Sequence, residues 1–318
     1  MSARWVVGDL QVATAQDQVV ALDLFELREA HHRGSLAVPF QDLLGADPVA
    51  PAAEVFVAPP TWRGYNFVEL LEWLVCARLG VPAASTAVWR SPVQGGATGV
   101  RRILEGRGWQ LEVEKRERQV WMRAKVLEPG PMPGPPKISD RLGGTALDLA
   151  VGWGVFAGKR IDDGTALLFE AALEYGPIQR VADIGTGTGV LAIALVTGGH
   201  AAQAVATDVD AVALHLARRN AEASGADVAL FLDDDPGRCP EADLTVCNLP
   251  THAQRANLEV LVNGLAARTS TGPALVVVHA SLERRYSSQF ERAGTAVRTV
   301  RRATHAVLEL TRRDPHPG

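Results

Sequence analysis

Short apolar runs alternate with amphipathic segments through the second half of the chain. The apolar runs are rich in Val, Ala, Leu and Ile, which predicts β-strands at 181–184, 202–208, 227–234, 243–248 and 273–280. Segments of helical period lie between them, at 190–196, 212–225, 254–267 and 281–294. Two further strand-like runs, 295–302 and 304–313, follow without a helix between them. The pattern predicts a mostly parallel, doubly wound sheet that ends in an antiparallel hairpin.

The first 127 residues show the same alternation less regularly. The pattern predicts helices at 66–80 and 99–108, and strands at 53–60, at 85–90 and once or twice within 111–128. No Gly-x-Gly-x-Gly follows any strand predicted in this half. We therefore expect an α/β domain that lacks a glycine-rich ligand turn.

A stretch rich in proline and glycine separates the two halves. Residues 128–140 hold five prolines and two glycines, a composition that disfavours regular structure. A chain of 318 residues has room for two domains. We predict a smaller α/β domain over 1–127, a linker over 128–140, and an α/β domain with the doubly wound sheet over 141–318.

Composition excludes several classes of protein. The chain is 47% hydrophobic and 21% charged, as expected for a folded globular protein. Its three cysteines include no Cys-x-x-Cys pair, which argues against a disulfide framework and a structural zinc site. The N-terminal residues lack the apolar core of a signal peptide, and the apolar run at 191–196 is far shorter than the roughly 20 residues of a membrane span. We expect a cytoplasmic protein without a metal site or membrane association.

Residues 183–189, Asp-Ile-Gly-Thr-Gly-Thr-Gly, join a predicted strand to a helix. Gly185, Gly187 and Gly189 permit a tight turn whose bare N–H groups can approach a ligand. Their spacing differs from the Gly-x-Gly-x-x-Gly of dinucleotide sites. Asp183 favours a cationic or amine-bearing ligand and would repel pyrophosphate. A tight turn without a ligand is the alternative.

Acidic residues follow the next two strands. Asp208 ends the strand after the glycine turn, about 20 residues further on, where a carboxylate can accept both hydroxyls of a ribose. Asp210 would point away, because side chains alternate at a strand end. The run 233–235 offers Asp234 to an adenine amine, and a solvated charge cluster is the competing interpretation.

Asp183, the three glycines, Asp208 and Asp234 together resemble the S-adenosylmethionine site of class I methyltransferases. The resemblance covers residues 150–313. It implies a seven-stranded Rossmann-like sheet with an antiparallel last strand, and S-adenosylmethionine as cofactor. The cofactor-binding residues that we predict are Phe156, Thr165, Asp183, Gly185, Thr186, Gly187, Gly189, Asp208, Asp234 and Asn248.

The fourth strand of this half ends in Asn248, Leu249, Pro250 and Thr251. Amino-group methyltransferases carry Asn or Asp, Pro, Pro and an aromatic residue here, so Asn248 and Pro250 fit and the other two depart. The Asn248 oxygen and the Leu249 carbonyl can accept both N–H bonds of a conjugated amine and aim its lone pair at a methyl group. We predict Asn248, Leu249 and Pro250 as catalytic residues, with His252 in place of the missing stacking aromatic. In the alternative interpretation Asn248 only satisfies the turn.

A narrower resemblance lies in residues 154–173, which are similar to the segment before the glycine turn in bacterial ribosomal RNA guanine-N2 methyltransferases. The matching residues are Gly154-Val155-Phe156, Asp162 and Gly164-Thr165. Those enzymes have two domains, the first a degenerate methyltransferase-like half. The resemblance implies that this segment covers the methionine end of the cofactor, that Phe156 lines the pocket, and that residues 1–127 are the degenerate domain.

Charge is distributed unevenly along the chain. The net charge is −4, and residues 151–282 hold eight basic and fifteen acidic side chains. Residues 90–125 instead hold nine basic side chains against four glutamates, with Trp109 and Trp121 among them and Trp89 directly before them. This combination suits RNA, although a solvated face is the alternative. The RNA-contacting candidates are His252, Arg90, Arg101, Arg102, Arg116 and Arg118.

These observations predict an S-adenosylmethionine-dependent methyltransferase acting on a guanine exocyclic amine of ribosomal RNA, as free RNA or in a ribosomal subunit. The altered loop after Asn248 leaves open a protein glutamine amide or a small metabolite as substrate. A non-catalytic protein that binds cofactor and RNA is the third hypothesis. The sequence predicts no oligomeric state.

Overall fold

The computed structural model describes residues 4–8, 10–45, 53–60, 63–83, 85–94, 96–155, 160–251 and 253–313. The chain divides into two compact units. The first unit comprises 1–136 and 152–158, and the second comprises 137–151 and 159–318. Phe156 and His252, two predicted site residues, lie outside the described residues.

The described part of the first unit is an α/β fold around one mixed sheet. Its elements are β1 (Trp5–Val7), β2 (Gln18–Ala21), α1 (Leu24–His32), β3 (Leu36–Pro39), α2 (Phe40–Gly45), β4 (Glu54–Val57), α3 (Tyr65–Ala77), β5 (Thr86–Pro92), α4 (Ala97–Gly106), β6 (Glu112–Arg116) and β7 (Gln119–Lys125). The strand order is β3-β2-β1-β4-β5-β7-β6. Strand β7 is antiparallel to β5 and β6, and the other pairs are parallel.

The second unit has a sheet with the same order of strands. Its elements are β8 (Lys137–Leu142), β9 (Thr145–Ala150), α5 (Asp163–Ala172), β10 (Ile178–Ile184), α6 (Val190–Thr197), β11 (Ala201–Asp208), α7 (Ala211–Ser224), β12 (Val228–Leu232), β13 (Leu244–Asn248), α8 (Arg255–Arg268), β14 (Ala274–His279), α9 (Glu283–Arg292), β15 (Thr295–Arg302) and β16 (His305–Arg312). The order is β12-β11-β10-β13-β14-β16-β15, with β16 antiparallel to both neighbours. The predicted fold class is confirmed, including the antiparallel last strand.

The second sheet has an apolar layer on each face because side chains alternate along its strands. Val181 of β10 packs in a cluster with Leu195 of α6. The next residue, Ala182, belongs to the cluster on the opposite face, with Leu265 of α8 and Phe290 of α9. Helices therefore cover both faces, and the carboxyl edge of the parallel strands is left for the loops.

A buried arginine joins two loops of the second unit. Arg268, the last residue of α8, is 6% exposed. Its guanidinium donates to Thr245 Oγ1 at 2.8 Å and to the carbonyls of Pro236, Cys239 and Pro240 at 2.8–3.0 Å. The charge is thus compensated by polar partners inside the fold, as a buried guanidinium requires.

The β8–β9 hairpin was not predicted, and it begins inside the predicted linker 128–140. Lys137, inside the predicted linker 128–140, begins β8, which pairs antiparallel with β9. The prolines end at Pro136, so backbone N–H groups are available from residue 137 onward. The alternation in β8 is weak, but Leu147 and Leu149 of β9 are buried in the core and stabilise the hairpin.

Residues 152–158 also depart from the predicted boundaries, since they group with the first unit although they fall within 141–318. Trp153 is fully buried there. Its carbonyl accepts a hydrogen bond from Arg63 Nη1 at 3.3 Å, and Arg63 is itself 3% exposed. Burial of a large aromatic side chain accounts for this grouping.

At the carboxyl edge of the first sheet, the loops after β1 and β4 touch directly. Gly8 has a φ of 78°, and a Cβ on it would lie 2.3 Å from the Ala58 carbonyl oxygen. The Ala58 N–H donates to the Val7 carbonyl at 2.9 Å. Backbone therefore fills the space between these two loops.

Candidate functional site

The candidate site lies at the carboxyl edge of the second sheet, where the strand order reverses. Strand β10 pairs with β11 on one side and with β13 on the other. Ile184 of β10 is opposite Thr207 and Cys247 in these two ladders. The residues that follow, Gly185, Asp208 and Asn248, are thus brought to one edge. Open α/β sheets bind their ligands at such a crevice.

The glycine turn has two open positions and one packed position. Gly185, Gly187 and Gly189 have φ values of 73°, 57° and 85°, where glycine is strongly favoured. A Cβ on Gly185 or Gly187 would have no neighbour within 4 Å, whereas one on Gly189 would lie 3.0 Å from Ile193 Cδ1 and 3.3 Å from Ala217 Cβ. The first two glycines therefore border an open cradle, and the third allows α6 and α7 to pack closely.

Asp208 is fixed to the glycine turn through both carboxylate oxygens. Its Oδ2 accepts the Gly187 N–H at 2.8 Å, and its Oδ1 accepts the Asp210 N–H at 2.9 Å. Burial, with a contribution from the neighbouring Asp210 charge, raises the pKa of Asp208 to about 6. A carboxylate has lone pairs for about four donors, and the Val209 N–H is a third backbone donor to Asp208, so Asp208 retains capacity for a ribose hydroxyl. Asp210 instead caps α7 by accepting the N–H groups of Val212 and Ala213.

Asp183, a buried residue of β10, stabilises the glycine turn. It is 3% exposed, and its Oδ2 accepts the Thr186 hydroxyl at 2.7 Å and the Ala192 N–H at 3.2 Å. Burial raises the pKa of Asp183 to about 6. The hydroxyl of Thr186, a predicted cofactor-binding group, is thus used within the turn. These contacts tie the loop to the start of α6.

In the acidic run 233–235, the two outer residues stabilise their own turn. Asp233 Oδ1 accepts the Asp235 N–H at 3.0 Å, and Asp235 Oδ1 accepts the Gly237 N–H at 2.8 Å. Asp234 is half-buried between them, just beyond the end of β12. Its position is compatible with the predicted contact to an adenine amine.

Asn248 is the polar side chain at the end of β13. Its Nδ2 lies 3.3 and 3.4 Å from the two carboxylate oxygens of Asp162 and 3.1 Å from Thr165 Oγ1. Asp162 precedes α5 and caps it by accepting the N–H groups of Gly164 and Thr165 at 2.9 and 3.1 Å. The structure thus brings together the predicted residues Thr165 and Asn248 with Asp162, which was not among them.

The two residues after Asn248 have different environments. Leu249 is 4% exposed, its N–H donates to the Val277 carbonyl at 3.1 Å, and its carbonyl accepts the Thr251 N–H at 2.8 Å. Pro250 is exposed, and its carbonyl accepts the Ala253 N–H at 2.9 Å. The Leu249 carbonyl, a predicted acceptor for substrate, therefore already has one partner.

Asn220 of α7 is a site-supporting residue that the sequence analysis missed. It is 2% exposed, its Oδ1 accepts the Ala150 N–H at 2.7 Å, and its Nδ2 donates to the carbonyls of Ala150 and Thr188 at 3.0 and 2.9 Å. One side chain thus holds the end of β9 against the glycine turn. Its signal in the sequence is a single Asn on the apolar face of an amphipathic helix.

The basic candidates of the first unit differ in their surroundings. Arg101 and Arg116 form ion pairs with Glu105 and Glu114 at 2.8 and 2.6 Å. Arg90 lies over the rings of Phe56 and Trp121, 5.6 and 5.7 Å from their centroids. The candidates that are exposed are Arg101, Arg102, Arg116 and Arg118.

Two of the three tryptophans in and directly before this basic segment belong to the core. Trp89 and Trp109 are 0% and 2% exposed, with ring centroids 5.7 Å apart in an edge-to-face pair. The sequence pattern suits stacking on RNA, but burial removes both rings from any RNA surface. Trp121 is half-buried, with its ring centroid 5.9 Å from that of Phe56 and with the Arg90 and Arg116 guanidinium groups over it.

Comparison with known proteins identifies the family. The family model for the methyltransferase small domain matches residues 146–308, more than half of the chain. The chain belongs to the methyltransferase small domain family. The resemblance to class I methyltransferases is thereby confirmed, and the matched range includes the glycine turn and Asn248.

Individual relatives within the methyltransferases differ in how much of the chain they match. The ribosomal RNA small subunit methyltransferase C of Alcanivorax borkumensis is 29% identical over 237 residues, 70% of this chain and 69% of the relative. A release factor glutamine methyltransferase of Xylella fastidiosa is 42% identical, but over 74 residues, 22% of this chain and 27% of the relative. Similarity to the first of these therefore extends well beyond the glycine-turn region.

A solved methyltransferase shares the whole architecture. The 16S rRNA N2 methyltransferase RsmC of T. thermophilus, solved in complex with AdoMet and guanosine, aligns with a TM-score of 0.78 and 20% identity. The alignment covers 98% of this chain and 89% of that one. The likeness shows that this member of the methyltransferase small domain family has the same two-unit fold.

Two further properties, membrane-spanning helices and metal-binding groups, concern the described residues alone. No helix among them is long and apolar enough to cross a membrane. Within the same residues, no group of three or more His, Cys, Asp or Glu side chains could hold a metal ion.

Proposed function

We propose that this protein transfers a methyl group from S-adenosylmethionine to the exocyclic N2 amine of guanine in ribosomal RNA. The observation that carries the proposal is the placement of Asn248 at the end of β13, beside the open glycine cradle at the end of β10. A hydrogen-bond acceptor for an amine and a site for a nucleoside cofactor thus share one edge of the sheet. Amine methylation needs both.

The residues present fit S-adenosylmethionine. Asp208 is fixed with a lone pair left for a ribose hydroxyl, and Asp234 is half-buried where it can accept an adenine amine. Gly185 and Gly187 leave the space that the cofactor needs. When bound, the cofactor supplies an electrophilic sulfonium methyl group.

The protein's part in the reaction is orientation of the amine. The lone pair of guanine N2 is conjugated with the ring, so the amine is a weak nucleophile. Asn248 Oδ1 accepts one N–H bond, and the second lone pair of the Leu249 carbonyl accepts the other, which directs the nitrogen lone pair towards the methyl group. The nitrogen becomes acidic as it gains the methyl group, so a weak acceptor is sufficient to take its proton.

The assignment to ribosomal RNA rests on how much of the chain its relatives match. The ribosomal RNA methyltransferase of A. borkumensis matches 70% of the chain, which requires the first unit as well as the second. The glutamine methyltransferase of X. fastidiosa matches 22%. In the first unit, the Ala58 carbonyl occupies the space beside Gly8 at the carboxyl edge of the sheet. We therefore assign this unit to contact with RNA rather than to catalysis. We place the protein in the cytoplasm.

In the first unit, Arg102 and Arg118 are the strongest candidates for phosphate contacts. Both are exposed, whereas Arg101 and Arg116 have carboxylate partners that offset their charge. Exposed guanidinium groups bind phosphate through counterion release and paired hydrogen bonds. The half-buried Trp121 offers one surface for an unpaired base.

The proposal is tested by tritiated methyl transfer to ribosomal subunits from a strain that lacks the gene, followed by nucleoside analysis. We expect label in N2-methylguanosine. Asn248→Ala should lose at least about 100-fold in kcat, as when one positioned hydrogen bond is removed, with a much smaller effect on cofactor affinity by calorimetry. Asn263→Ala, an exposed asparagine on α8, is the matched control. Label in protein, or cofactor binding without transfer to any RNA, would refute the proposal in favour of the two other hypotheses.

A further inference from the structure

The cap of α5 has unused hydrogen-bonding capacity that faces the candidate site. Asp162 Oδ1 accepts the N–H groups of Gly164 and Thr165, and Oδ2 accepts the Thr165 hydroxyl at 2.5 Å. On the side that faces Asn248, the Asp162 carboxylate and the Thr165 hydroxyl can therefore only accept hydrogen bonds. A carboxylate has no proton to donate, and the Thr165 hydroxyl proton is already donated to Asp162.

The amide of Asn248 meets these acceptors with its nitrogen. Asn248 Nδ2 lies within 3.4 Å of both Asp162 oxygens and 3.1 Å from Thr165 Oγ1. With the amide reversed, its oxygen would face three hydrogen-bond acceptors, and its N–H groups would lose these partners. One orientation is therefore favoured, and in it the Asn248 oxygen points away from α5.

We infer that Asp162 is a positioning residue, which fixes the rotamer of the Asn248 amide so that its oxygen faces the substrate amine. The inference rests on the proposed function, because a substrate N–H donor is what the oxygen would meet. Asp162 and Asn248 are 86 residues apart in sequence. The α5 cap thus serves two purposes, starting the helix and setting the polarity of the acceptor.

Gly164 gives this arrangement the room that it needs. A Cβ at residue 164 would lie 3.0 Å from Asp162 Oδ1 and 3.3 Å from His305 Cδ2. A larger residue would press on the Asp162 carboxylate, so the cap geometry and a small residue at this position belong together.

Substitution of Asp162 by Asn separates the two purposes. Asn is as good an N-cap as Asp, so α5 should still begin at residue 163. The new amide, however, has a nitrogen that must face either the helix N–H groups or Asn248, and in the second case two N–H donors oppose each other. We expect Asp162→Asn to lower kcat on the order of 100-fold with unchanged melting temperature and a much smaller effect on cofactor affinity. Asp23→Asn, the same change at the cap of α1, is the control and should keep full activity.

The reciprocal double variant provides the rescue. In Asp162→Asn with Asn248→Asp, the amide at 162 can donate to the carboxylate at 248, and the second carboxylate oxygen then faces the substrate. Asn248→Asp alone places two carboxylates together and should be at least as impaired as Asp162→Asn. We expect the double variant to recover about tenfold or more in kcat over either single variant. A purely structural role for Asp162 would give no such recovery.

Two measurements read the orientation without turnover. The first is the side-chain amide resonance of Asn248, identified by its loss in Asn248→Asp; Asp162→Asn should move it, and Asp23→Asn should not. The second is binding of guanosine against inosine, which lacks the 2-amino group, in the presence of S-adenosylhomocysteine. We expect the wild type to favour guanosine about tenfold, with that preference lost in Asp162→Asn and regained in the double variant.

The outcomes distinguish the proposed function from the role of Asp162. Wild-type protein that neither prefers guanosine nor methylates RNA refutes the proposed function, and the amide resonance still tests the inference. An unmoved resonance, an Asp162→Asn variant with more than half of wild-type kcat, or a double variant no better than the single variants overturns the role of Asp162.

Discussion

Cofactor affinity should fall in mildly acidic solution because of Asp208. Burial raises the pKa of Asp208 to about 6, and the neighbouring Asp210 charge adds to the shift. Only the ionised carboxylate accepts a ribose hydroxyl while it also accepts the N–H groups of Gly187 and Asp210. Protonation replaces an acceptor with a donor. Binding therefore competes with a proton in a range where an ordinary aspartate would remain ionised.

The size of the effect follows from the pKa. With a pKa of about 6, the carboxylate of the free protein is roughly 90% ionised at pH 7 and roughly 10% at pH 5. The association constant should therefore fall about tenfold over these two pH units, and binding near pH 5 should release close to one proton. Asp183, with a pKa also raised to about 6 by burial, holds the same turn, so its protonation would steepen the decline.

Calorimetry with S-adenosylhomocysteine between pH 5 and 7 measures both quantities, with proton release obtained from buffers of different ionisation enthalpy. Asp208→Asn should bind more weakly at pH 7 and lose the proton release that Asp208 contributes. Asp227→Asn, an exposed aspartate after α7, should reproduce the wild-type profile. An association constant that stays constant from pH 7 to 5, or a profile that Asp208→Asn leaves unchanged, would refute the assignment of Asp208 as the ribose acceptor.

Three further substitutions test the supports of the fold and the site. Arg268→Met should lower the free energy of unfolding by about 3 kcal/mol in urea titrations, because the carbonyls that it satisfies stay buried, whereas Arg255→Met, at a side chain 92% exposed, should change it by less than about 0.5 kcal/mol. Asn220→Ala should cost about 2–3 kcal/mol and also weaken cofactor binding, since it releases the glycine turn; full affinity would contradict this role. Gly187→Ala should lower the free energy of unfolding by only about 1 kcal/mol but impair cofactor binding. Gly8→Ala, by contrast, should lower the melting temperature more strongly and leave the cofactor affinity of the folded protein intact.

The second unit was largely predictable because its sequence signals are local. Each strand of its large sheet is an apolar run bounded by turn residues, and α7 ends at Ser224 and is capped by Gly225, which has the left-handed conformation common at helix ends. The glycine turn and Asp208 could be paired in advance because the carboxyl ends of adjacent parallel strands meet at one edge. Local pattern and topology together were sufficient there.

Contacts between distant segments could not be predicted. The β8–β9 hairpin is stabilised by Leu147 and Leu149 against helices further along the chain, and the β8 sequence alone contains alternating charges. Strands β1 to β3 have only three or four residues each, too few for a period to be recognised. The contact of Asp162 with Asn248 likewise depends on how α5 packs on the sheet, which no local spacing encodes.

The two sheets have the same strand order, yet their carboxyl edges differ in chemistry. In each, the chain leaves the first strand of the sheet in sequence through a glycine with positive φ, Gly8 after β1 and Gly185 after β10. The Gly8 position has the Ala58 carbonyl where a side chain would be, whereas the Gly185 position is open. Strand order therefore determines where a crevice can form, and the approach of one loop to another determines whether it does. For this reason the absence of Gly-x-Gly-x-Gly from the first half predicts the absence of a ligand crevice there. A single glycine permits the turn, but the repeated glycines of the second unit also leave space for a ligand because they have no side chains.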